Sequence, residues 1–217
     1  MLEAAPVAAE VQAAGEAFGP PVADPPAAGA PALRWGLLFD ALDGGGDQGY
    51  ITAIELIYEG YLYHYRESRV SAPVDDGHAT ALLAGDFFYA RGLRLIAARG
   101  DAEAVGLLAR LMAACSYLRR VAAPFADDDA LWACAMGGLA ALRRGVSPTT
   151  AAALFEQFDA AVADRVTIDV RALARASARR LGLRDAVPLD VELAAGEAAP
   201  AGPAAVIDAP ADADERS

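Results

Sequence analysis

Three features of the chain predict an all-α fold. Alanine, the residue with the highest intrinsic helix propensity, dominates the 217 residues. The β-branched residues are scattered rather than gathered into alternating runs. Glycines, prolines and short polar residues cut the interior into segments of helical length. With 55% hydrophobic and 22% charged residues there is ample material for one large core. The chain is therefore read as a helical domain over 31–185, between a mobile Ala/Pro-rich arm at 1–30 and an acidic, disordered tail at 186–217.

The elements follow in order. Ala4 to Glu16 has helical composition, but Pro20, Pro21, Pro25 and Pro26 end it. A first domain helix is predicted near Pro31 to Leu42, stopped by Gly44, Gly45 and Gly46. Asp47 is placed to cap a second, Gln48 to Ser68, whose Ile51, Ile54, Ile57, Tyr58, Tyr61, Leu62 and Tyr65 recur at helical spacing. Pro73, Asp75, Asp76 and Gly77 form a turn. A third helix runs from His78 to Arg99. Asp101 caps a fourth, which Pro124 ends, and Asp127 to Asp129 open a fifth. Ser147, with Pro148 in the first helical position, opens a sixth that reaches Asp164. A shorter helix, Val170 to Leu181, closes the domain.

Composition excludes several functions. The net charge is −12, and all 18 basic residues are arginine. Phosphate backbones repel such a chain, so nucleic acid is not an expected partner. Without lysine there is no Schiff base and no P-loop lysine. Cys115 and Cys134 lie in apolar stretches and are expected as buried thiols, with no disulfide framework or zinc spacing. No basic segment precedes an apolar core at the N-terminus, and the run from Ala130 to Leu142 is too short to span a bilayer. No transmembrane segment and a cytoplasmic location are expected.

Each candidate constellation has a structural reading beside the chemical one. Asp75–Asp76 and Asp127 to Asp129 fit helix starts, which favour carboxylates. Three consecutive residues on a helix also point to three sides, whereas metal ligands must converge. His64 and His78 lack the further ligands or partners of a zinc site or a triad. Tyr58, Tyr61, Tyr63 and Tyr65 read as helix packing, or alternatively as the wall of an apolar tunnel. Gly85 in mid-helix costs about 1 kcal/mol against alanine, so its small size should be needed by a neighbour. Asp86, among Leu82, Leu83, Phe87 and Phe88, needs a partner if buried.

The stretch "LLAGDFFYARGLRLIAARGDAEAVGLLARL", with Leu82 to Asp86 followed by Gly100–Asp101, resembles trans-isoprenyl diphosphate synthases. There an "ILAGD" block, an apolar helix and a "GD" occur after the first aspartate-rich motif. Upstream, "AIELIYEGYLYHYRES" is similar to the family's "AIELIHTASLIHDDVID", and "GAPALRWGLLFDAL" to its "GGKRLRPLLVLLA". The similarity extends over about residues 29–162, being weaker in the last third. It implies a helical bundle of the isoprenoid synthase type, truncated or degenerate.

The departures from that family carry the functional expectation. Active members hold magnesium ions on carboxylates four residues apart, and these stabilise the leaving diphosphate. The corresponding positions here follow His64 with Tyr65, Arg66, Glu67, Ser68 and Arg69, of which only Glu67 is acidic. Of the family's diphosphate-gripping basic pair only Arg34 has a match, with Trp35 in place of proline. Near the second motif, Asp159, Asp164 and Asp169 are wrongly spaced. The resemblance thus implies a chain with no catalytic residues and no metal of its own. It is similar to the small, non-catalytic subunit of two-component polyprenyl diphosphate synthases. The expected partner is a Mg2+-dependent catalytic subunit, or a second copy of the chain. Tyr58, Tyr61, Phe87, Phe88 and Tyr89 are candidates for a tunnel or interface, and Gly85 and Asp86 for a structural motif. Two alternatives stand beside this: a divergent active prenyltransferase using Glu67, Asp75 and Asp76, and a helical scaffold with no isoprenoid role.

Overall fold

The computed structural model describes residues 4–19, 33–71 and 78–182. The prolines from Pro20 to Pro26, the Asp75–Asp76 turn and the acidic tail 186–217 lie outside the described residues. The fold is all-α, and helix makes up 77% of the described residues. The helices are α1 (Ala4–Gly15), α2 (Trp35–Asp43), α3 (Gln48–Tyr65), α4 (His78–Ala97), α5 (Ala102–Arg120), α6 (Phe125–Arg143), α7 (Pro148–Ala151), α8 (Ala153–Ala163) and α9 (Val170–Arg180).

Two helices are central. Every residue of α3 from Tyr50 to Leu62 is buried, as is every residue of α6 from Ala130 to Ala141. A helix apolar on one stripe belongs at a surface, whereas one buried all round belongs in a core. Around α3 pack α1, α2 and α4; around α6 pack α2, α5, α7 and α9. Aromatic rings join the two centres, with Tyr58 and Tyr61 of α3 meeting Trp132 of α6 at 5.2 and 6.0 Å.

The helix boundaries follow the capping chemistry. Asp47, Asp101 and Ser147 each accept a hydrogen bond from the backbone N–H three residues on. Asp169 does the same for α9. Gly44, Gly100 and Gly145 follow α2, α4 and α6 with φ of 72°, 79° and 84°, where a side chain would be strained. Several boundaries differ from expectation, among them the end of the second domain helix, at Tyr65 and not Ser68. The first domain helix begins at Trp35, not Pro31. The sixth is divided at Ala152, whose φ of −94° and ψ of 1° leave the helical region and separate α7 from α8.

The expectation of a mobile arm is corrected for its first half. Residues 4–15 form α1, with Val7, Val11 and Ala14 buried in the core. Val11 and Ala14 pack with Leu56, Val70 and Phe88. Gln12 donates to the Val70 carbonyl at 3.0 Å, and Glu10 pairs with Arg91 at 3.6 Å. The apolar period of this short stretch is carried by valine and alanine alone, which is too weak a signal to distinguish a packed helix from an alanine-rich tail.

Close approach of α3 and α4 explains the mid-helix glycines. A Cβ on Gly92 would lie 2.5 Å from Ile57 Cγ1 and 2.6 Å from the Ala53 carbonyl oxygen. A Cβ on Gly85 would lie 2.5 Å from the His64 ring, which answers why a glycine is needed there. Replacing Gly92 by alanine gains about 1 kcal/mol of helix propensity but drives the new methyl into backbone, which cannot yield cheaply. Gly92→Ala is expected to lower the urea midpoint, with a net loss of roughly 1–3 kcal/mol. A midpoint equal to or above wild type would show that the helices separate freely.

Candidate functional site

After α3 the chain turns back on itself. Arg66 is extended (φ −144°, ψ −158°), and residues 66–71 return along the helix they have just left. Arg69 thereby reaches Glu59 and Glu55, ten and fourteen residues earlier, and Ser68 reaches Glu59. Both glutamates are fully buried, one turn apart on α3. Arg69 Nε donates to Glu59 Oε2 at 2.8 Å and its Nη1 to Glu55 Oε2 at 2.7 Å. The other Glu59 oxygen accepts from Ser68 Oγ at 2.8 Å and from the Arg69 amide at 2.9 Å. The other Glu55 oxygen accepts from the amides of Arg34 and Gly36 at 2.8 and 2.7 Å. It thus caps α2, whose own N-cap side chain makes no such bond. Burial disfavours the Arg69 cation, but the two carboxylates outweigh it and hold its pKa above the ordinary arginine value.

The other candidate positions cluster loosely around this core. The Arg34 guanidinium donates to Tyr58 Oη at 3.0 Å, pairs with Asp129 at 3.1 Å and covers the Trp35 ring at 4.5 Å. His64 meets Asp86 at 3.3 Å and stacks on Tyr89 at 5.1 Å. Burial lowers the pKa of His64 and Asp86 only partly opposes this, so the imidazole is neutral near pH 7. Tyr65 packs on Tyr61 at 5.4 Å, Arg66 lies over the Phe125 ring at 4.7 Å, and Glu67 is exposed. The structure therefore brings Arg34, Tyr58 and Arg69 together, groups His64 with Gly85, Asp86 and Tyr89, and leaves Glu67 at the surface.

The aromatic candidates divide by burial. Tyr58 and Tyr61 are buried and stack on each other at 5.9 Å, while Trp35 stacks on Trp132 at 5.8 Å. These four rings occupy the space between α2, α3 and α6. Within it, Tyr61 Oη and the indole N–H groups of Trp35 and Trp132 are buried without a hydrogen-bond partner among the described residues. Phe88 is fully buried and stacks on Tyr63 at 5.4 Å, whereas its neighbour Phe87 is 38% exposed. A shallow depression of about 300 Å³ lies elsewhere, lined by Thr149, Thr150, Ala153, Glu156, Gln157, Ala160 and Arg180.

Asp127, Asp128 and Asp129 stand at the start of α6, and each faces a different arginine. Asp127 pairs with Arg171 at 3.5 Å, Asp128 with Arg119, and Asp129 with Arg34. Asp128 is fully buried, and burial pushes its carboxyl up to about 6 against the opposing effect of Arg119. The helix-start reading gives their position, but the arginines tie this one turn to α2, α5 and α9.

Sequence reasoning missed Glu55 and Glu59. Their signal was present: Glu55 and Glu59 are the only charged residues between Asp47 and His64. Acids isolated in a long apolar helix must be paired if the helix is buried. The arrangement is built to hold helices and the 66–71 segment in place. Among the described residues no three His, Cys, Asp or Glu side chains come together as a group that could hold a metal ion. No helix of the described residues is long and apolar enough to cross a membrane. No family model, curated protein or solved structure matches the chain.

Two outcomes check this electrostatic scheme. Arg69→Met keeps an apolar stem but leaves two buried carboxylates facing each other, and should cost about 3–5 kcal/mol by urea unfolding. A loss below 1 kcal/mol would mean the pair is wetter than its geometry indicates. The Asp128 carboxyl titrates higher in the folded chain than its ordinary 3.8. The folded state therefore binds its proton more tightly, and that contribution is present below pH 4 and lost as pH rises through 6. Asp128→Asn should remove this trend, so that stability relative to wild type rises by roughly 2–3 kcal/mol from pH 4 to pH 6.5. Parallel pH profiles for the two proteins would contradict it.

Proposed function

We propose that this chain is a non-catalytic helical subunit that associates with a catalytic polyprenyl diphosphate synthase and influences its stability or product length. The observation that carries this is the Arg69 guanidinium lying between Glu55 and Glu59. An enzyme that ionises an allylic diphosphate needs free carboxylates for divalent metal, and here the two acids on the central helix are neutralised by an internal cation. Two further features agree. The acids at the start of α6 each face an arginine, and the space a substrate chain would need beside α3 is taken by Tyr58, Tyr61, Trp35 and Trp132. Any Mg2+ chemistry belongs to the catalytic partner.

Co-purification with a full-length synthase from the same genome tests the role directly. A stable complex is expected, together with at least a twofold change in the synthase's activity or a shift in its product length. The chain alone should release no diphosphate from allylic substrates with Mg2+. Absence of a complex and of any effect on the synthase would overturn the role, and Mg2+-dependent turnover by the chain alone would replace it with a catalytic one.

A further inference from the structure

The pair of helices α8 and α9 carries the shallow depression of about 300 Å³ and, beside it, an arginine-rich helix end. No acid accompanies Arg171, Arg175, Arg179 and Arg180 in residues 170–180. Arg171 is paired with Asp127. Arg179 and Arg180 are exposed and make no ion pair or ring contact among the described residues. Arg180 lines the depression together with Ala153 and Ala160, which give it a small apolar floor. Glu156, the one acid of that lining, faces Arg110 at 4.0 Å. Two unpaired cations beside an apolar floor fit a ligand that carries both carboxylates and apolar side chains.

The chain supplies such a ligand close by. Gly182 closes α9 with φ of 73°, and its amide donates to the Arg179 carbonyl at 3.2 Å. A left-handed residue at that position turns the chain back beside the last turn of the helix. The described residues end there, and 35 residues follow, of which eight are acidic and two are arginine. Among them, 187–193 reads VPLDVEL: Val187, Leu189, Val191 and Leu193 alternate with Pro188, Asp190 and Glu192. This period of two would put the apolar groups on one side of an extended segment and both carboxylates on the other. The five to eleven residues after Gly182 span up to about 17–36 Å. That suffices to reach any point of α8, whose 11 residues are about 16 Å long. Laid along the two helices with its apolar side on Ala153 and Ala160, the segment presents its acids at the edge. Arginine side chains are long enough to bend up to them there. Tethering also raises its effective concentration to about the millimolar range, well above that of a free acidic competitor.

We infer that the α8–α9 face is the docking site of the chain's own acidic segment 187–193, held by Arg179 and Arg180. This contact is a property of the chain alone and does not depend on the subunit role. A nitroxide attached to Ala194→Cys in the full chain tests it. Cys115 and Cys134, at 1% and 4% exposure, stay unlabelled. In the isotope-labelled protein the amide signals of Thr149, Thr150, Ala153 and Gln157 should lose at least half their intensity. Arg179→Glu with Arg180→Glu should restore most of the lost signal, because like charges then face one another. Asp190→Arg with Glu192→Arg should do the same. It changes no residue of the nine helices and serves if the first pair disturbs α9. All four substitutions together should bring the loss back. A mixture of nitroxide-bearing chains with separate isotope-labelled chains should show no loss, since the contact lies within one chain. Undiminished signals in the wild-type background, charge reversals without effect, or a fourfold variant that fails to recover the contact would overturn the inference. So would losses in the mixture, which would put the segment of a second copy on this face. Failure to bind a synthase with the contact intact would overturn only the subunit role.

Discussion

Glu55, Glu59 and Arg69 set the conditions under which the rest of the molecule can pack. Two ionised carboxylates in the most buried helix would be untenable alone, because desolvation costs several kcal/mol per charge. Arg69 makes them tenable, and in doing so it fixes the path of residues 66–71 against α3. Glu55 transmits the same constraint in the other direction. Its second oxygen closes the start of α2, so that helix is positioned by a side chain from its neighbour rather than by its own cap. Val70, delivered by the same returning segment, then offers the surface and the carbonyl that α1 packs against. Three chain segments distant in sequence thus depend on one ionic unit.

A second constraint is steric. The approach of α4 to α3 is set by glycines, and wherever the helices touch, side chains from one occupy the space the other has vacated. The His64 ring fills the notch at Gly85, and Ile57 fills the one at Gly92. Such an interface has little tolerance along its length, and its rigidity keeps the outer face of α4 in one orientation. The ionic unit and the glycine crossing act on opposite sides of α3.

Much of this fold is legible in the sequence because its punctuation is local. Asp47, Asp101 and Ser147 cap where their composition says they should, and glycines end helices where φ must be positive. The candidate site was less legible because its logic is non-local. Nothing in the residues around Arg69 says that its guanidinium folds back fourteen positions, and an apolar period that counts only hydrophobic residues passes over Glu55 and Glu59. The Asp127 to Asp129 run was read correctly as a helix start, yet its three arginine partners come from positions 34, 119 and 171. The two neighbours Phe87 and Phe88 show the same limit at finer scale: the pattern marks both as apolar, but only the packing of α1 and α3 decides which one is buried.

The exclusive use of arginine gives these separate observations a common physical basis. A guanidinium offers five donors in a fixed plane, whereas an ammonium is a point charge on a flexible stem. Arg69 uses Nε for one glutamate, Nη1 for the other and Nη2 toward the Glu55 carbonyl at 3.3 Å. A lysine at that position cannot address three acceptors in those directions. Arg34 likewise joins a tyrosine hydroxyl, a carboxylate and a tryptophan face. Arg66 and Arg119 both lie over Phe125, at 4.7 and 4.0 Å. Planar cations that stack as well as pair allow buried acids and a dense aromatic interior to occupy the same volume. In a metal-dependent bundle that volume would have to stay open for an ion and its ligand. Here the cations facing the buried acids of α3 and α6 are covalent parts of the chain.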